Sequence, residues 1–173
     1  LALYIVLTYK GGKRMKKSKL FEDYITENID SAYRFAFTYV RNKEDAEDIL
    51  NESVVKAIKG INSLREPKYI KSWFFRIIAN TAINYIRRQG KIVYLDYDDM
   101  EHLQKTEDDY SDLNFNELIE KLDQKYKSII VLRFFENMTL QEIAQVLDTN
   151  ENTVKTRLYK ALKILKVDVE EAI

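Results

Sequence analysis

The sequence predicts an all-α protein made of two small helical domains joined by a flexible acidic linker. Three observations carry this expectation. Helix breakers are scarce, with four glycines and one proline in 173 residues. Apolar residues recur at the three- and four-residue spacing of amphipathic helices over most of the chain. The stretch from Asp96 to Asp112 is instead acidic and without a sustained period, the composition of a tether rather than a packed element. A tether of that kind has nothing apolar to bind its flanks together, so the two domains are expected to move independently in the free protein.

Taken in order, Leu1 to Tyr9 is apolar but far short of the roughly 20 residues of a membrane span, and the basic residues follow it rather than precede it as in a signal peptide. Lys10-Gly-Gly-Lys-Arg14 before Met15 can be encoded by a purine-rich ribosome-binding site. Residues 1–14 are therefore read as translated upstream sequence, a reading the codons at Lys10 to Gly12 test. Helical periodicity runs from about Lys19 to Ile58 and breaks at Arg41-Asn-Lys43, where Asn42 can cap the next helix and Glu44 and Asp45 suit its first turn. The stretch from Gly60 to Pro67 holds a glycine, an asparagine and the proline, and predicts a loop before a helix entered at Pro67 to Tyr69 and ending near Gln89-Gly90. The second half reads as Leu113 to Leu122, then Lys125 to Phe135, then a short helix opened by the capping box Thr139-Leu-Gln-Glu142 and ending near Leu147. Asp148 to Asn152 supplies turn chemistry, with Asn152 expected to cap a last helix reaching about Val167. Two short helices across a tight polar turn make a helix-turn-helix.

Three surfaces carry chemistry. On the helix after Pro67, Phe74, Phe75, Ile78, Ala79, Ala82, Tyr85 and Ile86 form the apolar face, opposite a stripe of Trp73, Arg76, Asn80, Asn84 and Arg87. Guanidiniums neutralise phosphate, amides pair with base edges, and a ring offers a stacking platform. From Lys68 to Lys91 there are six basic residues and no acidic one, in a chain balanced at 28 against 28. The residues alone equally allow Trp73 to pack into a neighbouring helix above a solvated arginine rim. On the last helix, Val154, Leu158, Ala161 and Leu165 point inward while Lys155, Thr156, Tyr159, Lys160 and Lys163 point out, as a recognition helix requires. On Glu44 to Ile58, Ala46, Ile49, Leu50, Ser53 and Ala57 face inward, and Asp45, Asp48, Asn51, Glu52 and Val55 form an outer patch suited to a protein partner. Asp48 and Glu52 also have the i, i+4 spacing of paired carboxylates, which keeps a metal-dependent hydrolase open as an alternative, beside a dimeric helix-turn-helix regulator. With no cysteine and a single histidine, His102 in the acidic stretch, disulfides and thiolate or histidine metal sites have no basis.

Three blocks together resemble the extracytoplasmic-function subfamily of bacterial sigma-70 factors from about Leu20 to Lys166. They are Asp45-Ala-Glu-Asp-Ile-Leu-Asn-Glu52, Ser72-Trp-Phe-Phe-Arg-Ile-Ile-Ala-Asn-Thr-Ala-Ile-Asn84, and Leu132-Arg-Phe-Phe-Glu136 with Thr139-Leu-Gln-Glu-Ile-Ala144 and Asn152-Thr-Val-Lys-Thr-Arg-Leu158. The run from Thr153 to Tyr159 is similar to that of the SigV-like group. The resemblance implies a non-enzymatic, cofactor-free initiation factor of the cytoplasm and nucleoid, not an obligate homo-oligomer. Residues 15–91 would be sigma region 2, 92–112 the linker, and 113–173 sigma region 4. It implies that Asp45, Asp48, Asn51, Glu52 and Val55 meet the clamp of core RNA polymerase, with the second domain resting on the flap. Asn62, Ser63, Leu64, Lys68, Trp73, Asn80, Asn84, Arg87 and Arg88 would meet the −10 element, the loop from Asn62 to Tyr69 capturing an unstacked base. Asn152, Thr153, Lys155, Thr156, Tyr159, Lys160 and Lys163 would meet the −35 duplex. A membrane-anchored anti-sigma factor is the implied regulator. The chain departs from the family's pattern at Leu122-Asp123, where Leu-Pro is common, and at Asp148 to Asn152, where a glycine-containing turn is common.

Overall fold

The computed structural model describes residues 16–90, 118–119 and 121–171, with side chains between 17 and 165. The described residues are helical, without a strand. In chain order they form α1 (Lys16–Val40), α2 (Lys43–Gly60), 3₁₀ turns at Ile61–Ser63 and Pro67–Tyr69, and α3 (Ile70–Arg88). Then come α4 (Gln124–Ile130), a π turn (Val131–Phe135), α5 (Leu140–Val146) and α6 (Glu151–Glu171). Residues 1–14, His102 and the acidic linker lie outside the described residues.

Helices α1 to α3 bury the faces their periodicity marks. Phe21, Ile25 and Phe35 of α1 meet Ile49 and Val54 of α2 and Phe74, Phe75 and Ile78 of α3, all essentially without exposure. Aromatic pairs lock this core, Phe21 edge-on to Phe74 at 5.0 Å and Phe35 tilted against Phe75 at 5.1 Å between ring centres. The chain reverses between α1 and α2 through Arg41 in the left-handed region (φ 52°), after which Asn42 accepts the Asp45 N–H at 3.1 Å and caps α2. Glu44 and Asp45 occupy the first turn of α2, where a helix dipole favours carboxylates.

In the C-terminal half, Thr139 and Glu142 form the expected capping box: the hydroxyl accepts Glu142 N–H at 3.2 Å and the carboxylate accepts Thr139 N–H at 2.8 Å. Asp148 adopts φ 52°, so an aspartate serves where a glycine is common. The cap of α6 differs from expectation. Asn150, not Asn152, caps it, its side chain accepting Thr153 N–H at 2.7 Å and its carbonyl accepting Val154 N–H at 3.1 Å. Asn152 is already inside the helix and exposed. Of two equally competent cap residues, the earlier one follows the left-handed turn directly and captures the orphan donors first.

The two halves are in contact in this structure, which the sequence did not lead one to expect. Ile129, Val131, Leu132, Met138, Ile143 and Val154 belong to the same apolar cluster as the α1–α3 core, and only Leu118, Ile119, Leu122, Ile130, Ala161 and Leu165 form a smaller separate one. Helix α5 lies against α3. The seal between the halves comes from apolar residues of α4, the π turn and α5, so the composition of the linker could not reveal it.

Candidate nucleic-acid interface

The stripe on α3 is presented as the periodicity requires: Asn80, Asn84, Arg87 and Arg88 are exposed on the helix whose other face is buried. Trp73 is not a free platform. Its ring is half-buried, edge-on to Phe21 at 6.1 Å, and its indole N–H donates to Ser63 Oγ at 3.3 Å. Ser63 Oγ in turn donates to the Gly60 carbonyl at 2.7 Å. Lys17 Nζ donates to the Leu64 carbonyl at 2.6 Å. The loop after α2 is thereby pinned from three sides, leaving Asn62, Ser63 and Lys68 at the surface. Leu64 is a correction: at 2% exposure its side chain is sealed in the core and cannot reach DNA. A single leucine among polar loop residues is an inward anchor, a signal that was available in the sequence.

The outer patch of α2 holds Asp48 exposed and Asp45, Asn51, Glu52 and Val55 half-buried. Tyr85, assigned by the helical wheel to the apolar face, donates its hydroxyl to Asp45 Oδ1 at 2.6 Å, and that hydrogen bond raises the tyrosine's pKa. Glu52 lies 2.8 Å from Lys56 and 2.9 Å from Arg88. Its pKa is lowered, first by the Lys56 hydrogen bond and then, against the opposing effect of burial, by Arg88. A carboxylate engaged by two cations is poorly placed as a metal ligand. Among the described residues, no group of three or more metal-ligating side chains gathers elsewhere. Lys56 was visible in the sequence as the i+4 partner of Glu52. The Glu52–Arg88 pair joins the acidic patch of α2 to the basic end of α3, so the two candidate surfaces share an edge.

On α6, Lys155, Thr156, Tyr159, Lys160 and Lys163 are exposed, Tyr159 to 62%, while Val154, Ala161 and Leu165 are buried. Asn152 is exposed and Thr153 half-buried at the helix start. Arg76, on the α3 stripe, is paired with Asp148 in the helix-turn-helix turn at 2.8 Å. The α2 and α3 surfaces therefore lie together on one half, and the α6 surface on the other.

A helical bundle bearing amides and guanidiniums on one helix, followed by a capped helix-turn-helix with a basic outer face, is the architecture of a DNA-binding protein with two candidate nucleic-acid surfaces. The chain matches sigma-70 region 2 over residues 24–92 and sigma-70 region 4 over residues 112–165. It belongs to the sigma-70 family, in the extracytoplasmic-function subfamily, and is an RNA polymerase sigma factor that directs transcription initiation. It is 44% identical to RNA polymerase sigma factor SigV of Bacillus subtilis (strain 168) over 158 residues, covering 91% of this chain and 95% of that protein. It is 28% identical to the ECF RNA polymerase sigma factor SigW of the same organism, over 92% of this chain and 96% of the other. Its fold is similar to that of the sigma factor RpoE solved in complex with the anti-sigma factor NepR from Bartonella quintana, with a TM-score of 0.67 at 19% identity over 87% of this chain and 96% of that one.

Proposed function

We propose that the chain loads core polymerase onto promoters through three separate surfaces, and that residues 15–91 and 113–173 act as the −10 and −35 modules with 92–112 as their tether. The observation that supports this reading is that all three candidate faces are presented outward while their opposite faces form the core. Asp45, Asp48, Asn51, Glu52 and Val55 meet the clamp. Asn80, Asn84, Arg87 and Arg88, with Asn62, Ser63 and Lys68 of the pinned loop, meet the −10 element. Trp73 serves there by holding Ser63 in place. Asn152, Thr153, Lys155, Thr156, Tyr159, Lys160 and Lys163 meet the −35 duplex, with the second module on the flap. The factor uses binding energy rather than chemistry of its own: hydrogen bonds and ring contacts to a flipped base offset an unstacking cost of a few kcal/mol. An anti-sigma factor is its proposed regulator, a reading supported by the complex of the similarly folded RpoE with the anti-sigma factor NepR, and we further propose that this regulator is membrane-anchored and acts on the chain in the cytoplasm.

The test is transcription with core polymerase on promoter templates that are either fully paired or pre-melted by mismatches over the −10 element. Asn80→Ala is expected to leave closed-complex formation nearly unchanged, to reduce permanganate reactivity of unpaired thymines, and to recover much of its transcription on the pre-melted template. Equal loss of binding on both templates would make α3 a plain double-strand anchor.

A further inference from the structure

We propose that Glu136 is an intramolecular latch, holding the two halves in a closed arrangement that cannot read both promoter elements at once. The proposal rests on the reading of α3 and α6 as the −10 and −35 surfaces. Glu136 belongs to the C-terminal half but is only 6% exposed. Its side-chain partners Ser31 and Lys71 belong to the other half. Ser31 of α1 donates its hydroxyl to Oε1. Lys71 of α3 lies 3.1 Å from Oε2 and donates to the Glu136 carbonyl at 2.6 Å. A carboxylate placed in an apolar junction is stable only with such partners, so the contact specifies one docking of the halves rather than adding general adhesion.

The backbone around the carboxylate is built to aim it. The π turn over Val131–Phe135 ends directly before Glu136, and Asn137 directly after it sits in the left-handed region at φ 52°. π turns inside helices and left-handed non-glycine residues are both uncommon and concentrate where a side chain must be re-aimed for function.

Within this apolar junction, packing is incomplete at two places near Glu136. The buried Tyr24 hydroxyl has no hydrogen-bond partner among the described residues, and burial, followed by the negative charge of Glu136, pushes its pKa far up. Beside Glu136 a cleft of about 420 Å³ remains open between α1 and the C-terminal half, lined by Tyr33, Phe37, Val131 and Phe135 among others. Protein interiors meant to stay closed leave few such voids and few orphaned hydroxyls. Other polar contacts cross the junction, Arg76 with Asp148 at 2.8 Å, Gln124 donating to Thr38 at 3.4 Å and Ser128 donating to Tyr39 at 3.3 Å, but Glu136 is the one buried carboxylate among the described residues and stands beside the open cleft.

Closure has a geometric consequence. Arg76 touches Asp148 at 2.8 Å. Asn80 is one helical turn from Arg76, about 6 Å along the axis, and Thr156 is at most about 28 Å of extended chain beyond Asp148. The −10 and −35 readers are thus held within roughly 50 Å, whereas promoter positions about 25 base pairs apart are separated by about 85 Å of duplex.

The test uses the full-length chain, which has no native cysteine, carrying dyes at cysteines introduced at exposed Glu47 and Gln145. Energy transfer is measured without polymerase. The otherwise unaltered labelled chain should show high transfer. Glu136→Ala should lower the closed-to-open ratio by about ten- to a hundred-fold, and Lys71→Met at least as much, because it leaves the buried Glu136 carboxylate without its cation. The helical signal should persist in both. Glu136→Gln, which keeps the shape and can still accept from Ser31, should open the chain less than Glu136→Ala. The exchange Lys71→Glu with Glu136→Lys should restore part of the transfer lost in the single reversals. Low transfer in the otherwise unaltered chain, or unchanged transfer in Glu136→Ala, overturns the latch. Transcription with core polymerase is scored separately: a chain that opens as expected yet never supports initiation retires the promoter reading and leaves the latch standing.

Discussion

The two asparagines at the start of α6 separate the holding of a recognition helix from reading by it. Asn150 Oδ1 accepts the Thr153 N–H at 2.7 Å, so Asn150→Ala leaves that donor to water and should cost about 1 kcal/mol, within the usual range of about 0.5–2 for a lost cap. For a chain of this size, that loss should lower Tm by roughly 2–4 °C. Asn152 is exposed within the first turn and has no capping role, so Asn152→Ala should stay within about 0.5 kcal/mol of the parent. Thermal unfolding followed by helical circular dichroism gives the stability half. Binding to a −35 duplex, measured well below both Tm values, gives the other. Asn150→Ala should bind nearly as well as the parent once folded, and Asn152→Ala should bind more weakly while remaining as stable. Equal destabilisation by the two substitutions, or a neutral Asn150→Ala, would refute the cap assignment.

Lys155→Ala and Lys160→Ala should each weaken −35 duplex binding and, if they meet phosphate, lower the salt-dependence slope by roughly 1 for all sequences alike. Substitution of Thr156 or Tyr159 should instead change which −35 sequence is preferred, as read by competition among duplex variants. Asp48→Ala with Asn51→Ala should reduce affinity for core polymerase in a pull-down without loss of helicity; undiminished affinity removes the clamp assignment. Burial raises the pKa of Tyr39 from 10.0 to about 12, against the lowering effect of its hydrogen bonds with Ser128 and Gln124. The unfolded chain therefore loses this proton first as pH rises. Stability should be intact below about pH 10 and fall between about pH 10 and 12, by up to about 2–3 kcal/mol from this group. In Tyr39→Phe, denaturant titrations at pH 9 and 11.5 should show a smaller fall, and an unchanged fall assigns the alkaline loss elsewhere.

What the sequence made legible was local. The caps at Asn42 and Thr139, the buried faces of α2, α3 and α6, and the tolerance of Asp148 for a left-handed turn all follow from residues within a few positions of one another. Asn150 and Asn152 were ambiguous because both are competent caps, and only the backbone path decides between them. Leu64 and Trp73 were placed at the surface because a loop has no period and a helical wheel assigns direction without showing what lies beyond, here Phe21 of a distant helix. The contacts of Glu136 with Ser31 and Lys71 span 105 and 65 residues. No spacing rule reaches across such an interval, and the capping and periodicity signals around Glu136 are satisfied whether or not the halves meet.

The three described non-glycine residues in the left-handed region, Arg41, Asn137 and Asp148, each stand where a helical segment gives way to the next, and the only described glycine in that region is Gly90. A glycine at such a corner accepts many paths in the unfolded chain and surrenders them all on folding, whereas a residue with a Cβ begins with fewer to lose. The corners accordingly trade steric ease for a narrower set of alternatives. A helical protein with so few glycines is thus stiff at its bends, and its changes of shape are directed to the seams between helices rather than to the turns that join them.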